Sequence, residues 1–159
     1  MQNKCLYPKI TTFKSLRLMA KFAKPIKVVL TPEEWGTVLS VLKGSRPHWN
    51  SIAKWGTQDT CRQNLWIDDL ADATDQIERR GSRNPYFEAL FLNLAAIVAI
   101  GLTVRHERRF LVAPQIADPA ISEERRIGLQ KVEAILLSAE QKLQAIAGVE
   151  GIGFIELGQ

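Results

Sequence analysis

The 159-residue sequence has little cysteine and little histidine, and each shortage excludes a class of site. Cys5 and Cys61 are too few for a disulfide framework, so we expect a chain from a reducing, cytoplasmic compartment. His48 has no cysteine or glutamate at metal-ligand spacing. We therefore predict that His48, and likewise His106 in its charged run, are loop residues without a bound metal.

The sequence also lacks the short patterns that mark common catalytic sites. It contains no P-loop, GxSxG, CxxC or HExxH pattern. The glycines close to the C-terminus lack the preceding strand and following helix that a dinucleotide-binding fingerprint needs. A Ser/His/Asp or Cys/His site stays open, because such residues meet in the fold rather than in the sequence.

No apolar run is long enough to cross a bilayer. The longest, residues 89–104, is interrupted by Asn93 and Thr103, and its length falls short of the ~20 residues that a membrane-spanning helix needs. We predict a buried central helix there and no transmembrane span. The basic N-terminus is not followed by an apolar segment with a small-residue cleavage site, so no secretory signal is predicted.

The composition is that of a globular protein with an uneven charge distribution. Hydrophobic residues make up 46% of the chain and charged residues 24%, and the net charge is +4. Residues 1–30 hold seven basic residues and no acid, which leaves 14 basic and 17 acidic residues, a net charge of −3, in the remainder. We therefore divide the chain into a basic N-terminal arm, residues 1–25, and a single helical domain, residues 26–159.

Four roles remain open for the basic arm. It is suited to contact nucleic acid or a membrane surface, to serve as an organellar transit peptide, or to dock on a protein partner as a short amphipathic helix. The fourth role is that of a solubilising extension. The sequence alone does not choose among these four.

Hydrophobic periodicity predicts a mainly α fold, an antiparallel helical bundle. Thr31, Pro32 and Glu34 form a helix start with a capping box. Residues 45–58 are predicted to be a loop, and a short two-stranded β ribbon is predicted from residues 26–30 and 153–157. The predicted helices cover residues 32–43, 59–80, 86–109 and 122–147.

The strongest chemical signal is a row of acids on the second predicted helix. Asp69 and Asp72 are three residues apart, so we expect both carboxylates to project from one side, with Asp68 beside them. Mg²⁺ prefers a few carboxylate oxygens together with waters and substrate phosphates. Asn93 is the polar residue inside the apolar run, and we predict that its buried amide points at this cluster. The alternative is a solvated helix face, with Asn93 bonded to a backbone carbonyl or to another subunit.

Three segments together resemble the MazG-like all-α superfamily of nucleotide pyrophosphohydrolases, in the form common in phage and bacterial genomes. They are Lys54-Trp55-Gly56 with Gln58, LWIDDLAD at residues 65–72, and LFLNLAAIVAIG at residues 90–101 with the closing RHERR. In that family, acids of an EExxE motif and of a second helix hold Mg²⁺, which binds the triphosphate of a nucleoside triphosphate. An activated water then attacks, and pyrophosphate is released.

The resemblance implies specific roles in this chain. Asp68, Asp69 and Asp72 take the EExxE positions, Asn93 takes the last position of the second motif, and all four are implied metal ligands, with Asp69 and Asp72 catalytic. Two departures stand out: each Glu of the first motif is Asp here, and the first position of the second motif falls on Leu90. The implied substrate-binding residues are Lys54, Trp55 and Gln58.

Two functions are therefore expected from the sequence. The first is Mg²⁺-dependent release of pyrophosphate from nucleoside triphosphates by a homo-oligomer, or a catalytically impaired relative of such an enzyme. The second is a non-catalytic helical interaction protein, such as a component of a phage particle or another nucleoprotein assembly, that docks through its basic arm. The second expectation places the protein on a particle if its source is viral.

Overall fold

A computed structural model describes residues 25–56 and 60–149 of the chain. This part is mainly helical with one short two-stranded antiparallel sheet, which confirms the predicted fold class. Nearly all of the basic arm and the predicted strand at residues 153–157 lie outside the described residues. The strands are β1 (Ile26–Val29) and β2 (Ala89–Leu92), and the helices are α1 (Pro32–Ser45), α2 (Trp49–Gly56), α3 (Thr60–Arg83), α4 (Leu94–Glu107), α5 (Ala113–Ala117) and α6 (Glu123–Val149).

Helix α1 begins as its sequence predicts. The Glu34 backbone N–H donates to Thr31 Oγ1 at 3.1 Å, and the Thr31 backbone N–H donates to Glu34 Oε1 at 2.8 Å. Pro32 occupies the first turn, where its missing N–H costs no helical hydrogen bond. This reciprocal capping box satisfies two backbone donors that the start of a helix would otherwise leave unpaired.

A two-stranded ribbon forms, and its second strand within the described residues is one that was predicted to be helical. Strand β1 pairs antiparallel with β2, from Ile26 opposite Leu92 to Val29 opposite Ala89. A helix was predicted to begin at residue 86, and that boundary is wrong. The Glu88 carbonyl accepts the Leu30 backbone N–H at 3.0 Å and the Trp35 indole N–H at 2.8 Å, which holds this segment extended beside β1.

The predicted loop at residues 45–58 is also largely helical. A 3₁₀ turn (Arg46–His48) follows α1 directly and leads into α2. Trp49, Ile52 and Ala53 are buried, and their i, i+3, i+4 spacing places them on one helical face. That spacing indicates a short amphipathic helix, but the glycines, the proline and the polar residues around it obscured the signal.

Helix α4 is the centre of the fold. Every residue from Leu94 to Arg105 is buried, and α4 packs against α1, α3 and α6, which confirms the predicted buried central helix. The chain stays helical beyond Glu107 through a π-helical segment (Arg108–Val112) into α5, where a connector was predicted from Pro114. Among the described residues, no helix is both long enough and apolar enough to cross a membrane.

Candidate functional site

The structure divides the acids of α3 between two faces of the helix. Asp68, Asp72 and Asp75 are exposed, at the i, i+4, i+7 spacing of a solvent-facing stripe. Asp69 is only 3% exposed and shares the buried stripe with Ala73. Asp69 and Asp72, predicted to project from one side, therefore lie in different environments, because the edge of the packed face runs between them.

Asn93 caps a helix instead of lying inside one. Its backbone is extended, and its side-chain Oδ1 accepts the Ala96 backbone N–H at 2.8 Å, so α4 begins at the next residue. The prediction of a buried amide within a helix is wrong, since Asn93 is exposed. Leu90, at the first position of the resembling motif, lies half-buried in β2 rather than on a helix.

The predicted substrate-binding segment is described only in part. Lys54 is exposed on α2, near the end of that helix. Gln58 and the side chain of Trp55 lie outside what the structure describes. An exposed lysine is compatible with a phosphate contact, but it is equally typical of an ordinary helix surface.

These positions do not fit the magnesium site that the resemblance implies. Asp68 and Asp72 face solvent, Asp69 is buried, and the Asn93 oxygen already accepts a capping hydrogen bond. Across residues 25–56 and 60–149, no group of three or more His, Cys, Asp or Glu residues is arranged to hold a metal ion. We therefore derive no catalytic step through Mg²⁺ from this donor set.

The outer face of the ribbon presents a basic and apolar surface. The strand register puts Lys27 opposite Phe91, and side chains alternate between the faces of a strand, so Val29 lies on the same face as both. Val29 is 50% exposed and Phe91 58% exposed. On the other face, Val28 and Leu92 are buried in the core. This surface, Lys27, Val29 and Phe91, is called the ribbon face below.

Two acids are buried in ion pairs: Glu140, which the sequence did not single out, and Glu34, which was predicted only as a capping residue. Glu140 of α6 accepts from Arg105 Nε at 2.9 Å and from Arg108 Nε at 3.0 Å. Glu34 of α1 accepts from Lys142 Nζ at 2.7 Å. Both acids interrupt apolar helical stripes, and that position was the available signal for burial. Their partners tie α1, α4 and the π-helical segment to α6.

The two histidines differ from their predicted loop setting. His48 ends the 3₁₀ turn, and His106 lies half-buried in the last turn of α4 with its ring centroid 5.0 Å from that of Phe110. Burial lowers the pKa of His106, and the charge of His48 lowers it further. The two histidines are therefore close enough to interact, although 57 residues separate them in the sequence.

No family model, curated protein or solved structure matches this chain.

Proposed function

We propose that the protein is a catalytically impaired relative of the MazG-like hydrolases that acts as a helical interaction protein. Its basic arm and the ribbon face would together bind single-stranded nucleic acid. The observation that carries this proposal is that the ribbon face includes residues of the strand that directly follows the basic arm. The arm continues directly into β1, whose outer side combines Lys27 with the exposed Val29 and Phe91.

The chemistry of this surface favours a polyanion with exposed bases. Residues 1–30 contain seven basic residues and no acid, so phosphates are attracted there and not to the net-negative remainder. An exposed aromatic ring beside a lysine is the combination on which unpaired bases stack while their phosphates are neutralised. Phe91 and Lys27 are cross-strand partners with this arrangement.

Fluorescence anisotropy with a labelled oligothymidylate of about 20 nucleotides tests the proposal. We expect binding by the full chain to weaken steeply between about 50 and 200 mM salt. Removing residues 1–24 deletes six basic residues, so the slope of log affinity against log salt should fall by up to about 4. Absence of binding by the full chain at low salt, or an unchanged slope after deletion, would contradict the proposal.

Phe91→Ala isolates the contribution of stacking. We expect an affinity loss of about tenfold with an unchanged salt slope, because the substitution removes a ring and no charge. Phe110→Ala is the matched control, since Phe110 is similarly exposed, at 50%, but lies in the π-helical segment that follows α4, about 20 Å from β2 along the helix axis. Equal losses in the two variants would show that the ribbon face is not the binding surface.

A second candidate is Mg²⁺-dependent pyrophosphate release from nucleoside triphosphates. It rests on the sequence resemblance of residues 54–58, 65–72 and 90–101, and the buried position of Asp69, away from the exposed Asp72, counts against it. The test compares pyrophosphate release from a panel of nucleoside triphosphates by the unmodified chain and by a variant with Asp69→Ala and Asp72→Ala. We expect no difference between them. Release that requires both Mg²⁺ and the two aspartates would establish the enzyme instead.

A further inference from the structure

A cleft of about 460 Å³ opens between α1, the 3₁₀ turn, the end of α4 and α6. Its volume falls within the range of pockets that hold small molecules. The lining includes the polar residues Thr37, Ser40, His48 and Glu107, and Leu111 of the π-helical segment contributes to it. π-helical turns inside helices are frequent at functional sites. The cleft shares no lining residue with the acidic face of α3 or with the ribbon face.

Glu107 is the chemically distinctive group in the cleft. It is the last residue of α4 and is half-buried. Burial raises the pKa of Glu107, and the charge of His48 only partly opposes this effect. Within the part of the chain that the structure describes, its carboxyl group makes no hydrogen bond or ion pair. A partly desolvated carboxylate of this kind is stabilised by a cation that enters the cleft.

The rest of the lining complements an ammonium group on an apolar body. Thr37 and Ser40 lie three residues apart on α1, so both hydroxyls face the same side and offer acceptors for N–H groups. Val41, Leu111 and Val132 supply apolar contact area from three different elements. A primary ammonium carries three donors, which one carboxylate and two hydroxyls can satisfy.

We propose that this cleft binds a small organic compound with a primary ammonium group and an apolar body. Glu107 accepts the charge-assisted hydrogen bond, the hydroxyls of Thr37 and Ser40 accept the remaining N–H groups, and the valine and leucine side chains contact the apolar portion. This site is independent of the proposed nucleic-acid surface, and failure of either proposal leaves the other intact.

Three probes share one aromatic body and differ in charge: phenethylamine is a cation, 2-phenylethanol is neutral and phenylacetate is an anion. Comparing them separates the contribution of the ammonium group from that of the apolar body. Titrations followed by ¹H–¹⁵N NMR provide a local readout, because the Trp49 indole N–H donates to Ser45 Oγ at 3.0 Å and Ser45 lines the cleft. The Trp35 indole N–H donates to the Glu88 carbonyl and serves as the reference. We expect the Trp49 signal to shift on titration with phenethylamine, and the affinity obtained from it to be at least tenfold higher than that of either analogue.

Two substitutions locate the binding. Glu107→Gln keeps the shape and removes the charge, so we expect about a tenfold loss of phenethylamine affinity. Gly44 lines the cleft, and a Cβ there meets nothing within 4 Å, so Gly44→Leu starts an apolar side chain at the cleft without a backbone clash. Gly36 on the same helix is equally open but lines a different groove, which makes Gly36→Leu the matched control.

We expect Gly44→Leu to abolish binding and Gly36→Leu to leave it unchanged. Circular dichroism checks that both variants fold, which we expect because each replaces a helical glycine with a better helix former. The proposal is overturned if phenethylamine does not bind, if 2-phenylethanol binds equally well, or if the two leucine variants behave alike. A Trp35 shift larger than the Trp49 shift would also overturn it, because it would place the compound elsewhere.

Discussion

Helix α3 carries its acids in a dense row, whereas α1 and α6 each carry one acid within an apolar stripe. In the row, Asp68 and Asp72 face solvent. The two isolated acids, Glu34 and Glu140, are 4% and 3% exposed, and both are held in ion pairs that join separate helices. The dense row thus lies mainly at the surface, while the isolated acids connect elements of the core.

The difference follows from the neighbours of each acid along its helix. Acids at i, i+4 and i+7 make one helix face polar, and that face turns to water. Glu140 instead lies between Leu136 and Leu143, which are fully buried, so packing of this stripe carries the carboxylate inside. A buried carboxylate is costly without a cationic partner. An acid within an apolar stripe is therefore a stronger indication of a specific interaction than an acidic row.

The largest effect is expected at Glu140. Glu140→Gln removes the carboxylate that Arg105 and Arg108 share, so the buried Arg105 and the half-buried Arg108 both lose their anionic partner. We expect the free energy of unfolding to fall by about 3–5 kcal/mol, measured by urea denaturation. Glu124→Gln, at an exposed site on the same helix, should change it by less than about 0.5 kcal/mol. Similar effects in the two variants would contradict this account of Glu140.

Glu34 is expected to make stability depend on pH. Burial raises its pKa, but hydrogen bonds from Lys142, Ser138 and the Thr31 backbone outweigh burial and lower it below 4.5 on balance. The folded state therefore stabilises the charged form. That contribution is present above pH 4.5 and is lost as the pH falls through the lower pKa of the folded state.

Comparison with Glu34→Gln tests this pH dependence. Glutamine preserves the capping box but not the ion pair with Lys142, so we expect a loss of about 1 kcal/mol near pH 7. The difference between the two proteins should shrink as denaturation is repeated at pH values below 4.5. A difference that stays constant down to pH 3 would show that charge is not its cause.

Substitutions of Asn93 are expected to have an intermediate effect on stability, and they test its role as the cap of α4. Asn93→Ala should cost about 1 kcal/mol, because the Ala96 N–H loses its acceptor. Asn93→Asp should change stability by only a few tenths of a kcal/mol, since aspartate caps helices as well as asparagine does. If Asn93→Ala leaves the thermal midpoint unchanged, the side chain is not an effective cap.

The smallest effect is expected on the acidic row itself. Replacing Asp68, Asp72 and Asp75 together with asparagine should alter stability by less than about 0.5 kcal/mol, because exposed charges at this spacing repel only weakly. Asp69→Asn, in the buried stripe of the same helix, should cost more. An effect of the triple substitution that exceeds that of Asp69→Asn would reverse the comparison between the two faces.

Local features of the fold are readable from the sequence, and long-range ones are not. The capping box at Thr31 and Glu34 uses atoms three residues apart, so its sequence pattern is nearly sufficient. The buried helix α4 follows from its apolar length. The pairing of β1 with β2 joins residues at least 60 positions apart, and nothing near either strand specifies its partner.

The candidate site was harder to predict for the same reason. Spacing alone predicts that Asp69 and Asp72 project from one side of a helix, but the position of the packed face depends on other helices. An asparagine side chain can cap a helix or coordinate a metal ion. Asn93 caps α4 because the strand before it gives it an extended backbone at the start of that helix. Glu107 and His48 line one cleft although 58 residues separate them, so no local pattern could unite them.

The ribbon gives the basic arm a short mechanical connection to the core. The arm ends next to Ile26, which pairs with Leu92, and Leu92 directly precedes the cap of α4. Tension on a bound arm would therefore pass through this pair into the most deeply buried helix, instead of being absorbed by a surface loop. A partner that pulls on the arm would act against the whole hydrophobic core, so the ribbon would be an anchor in addition to the binding role proposed for it.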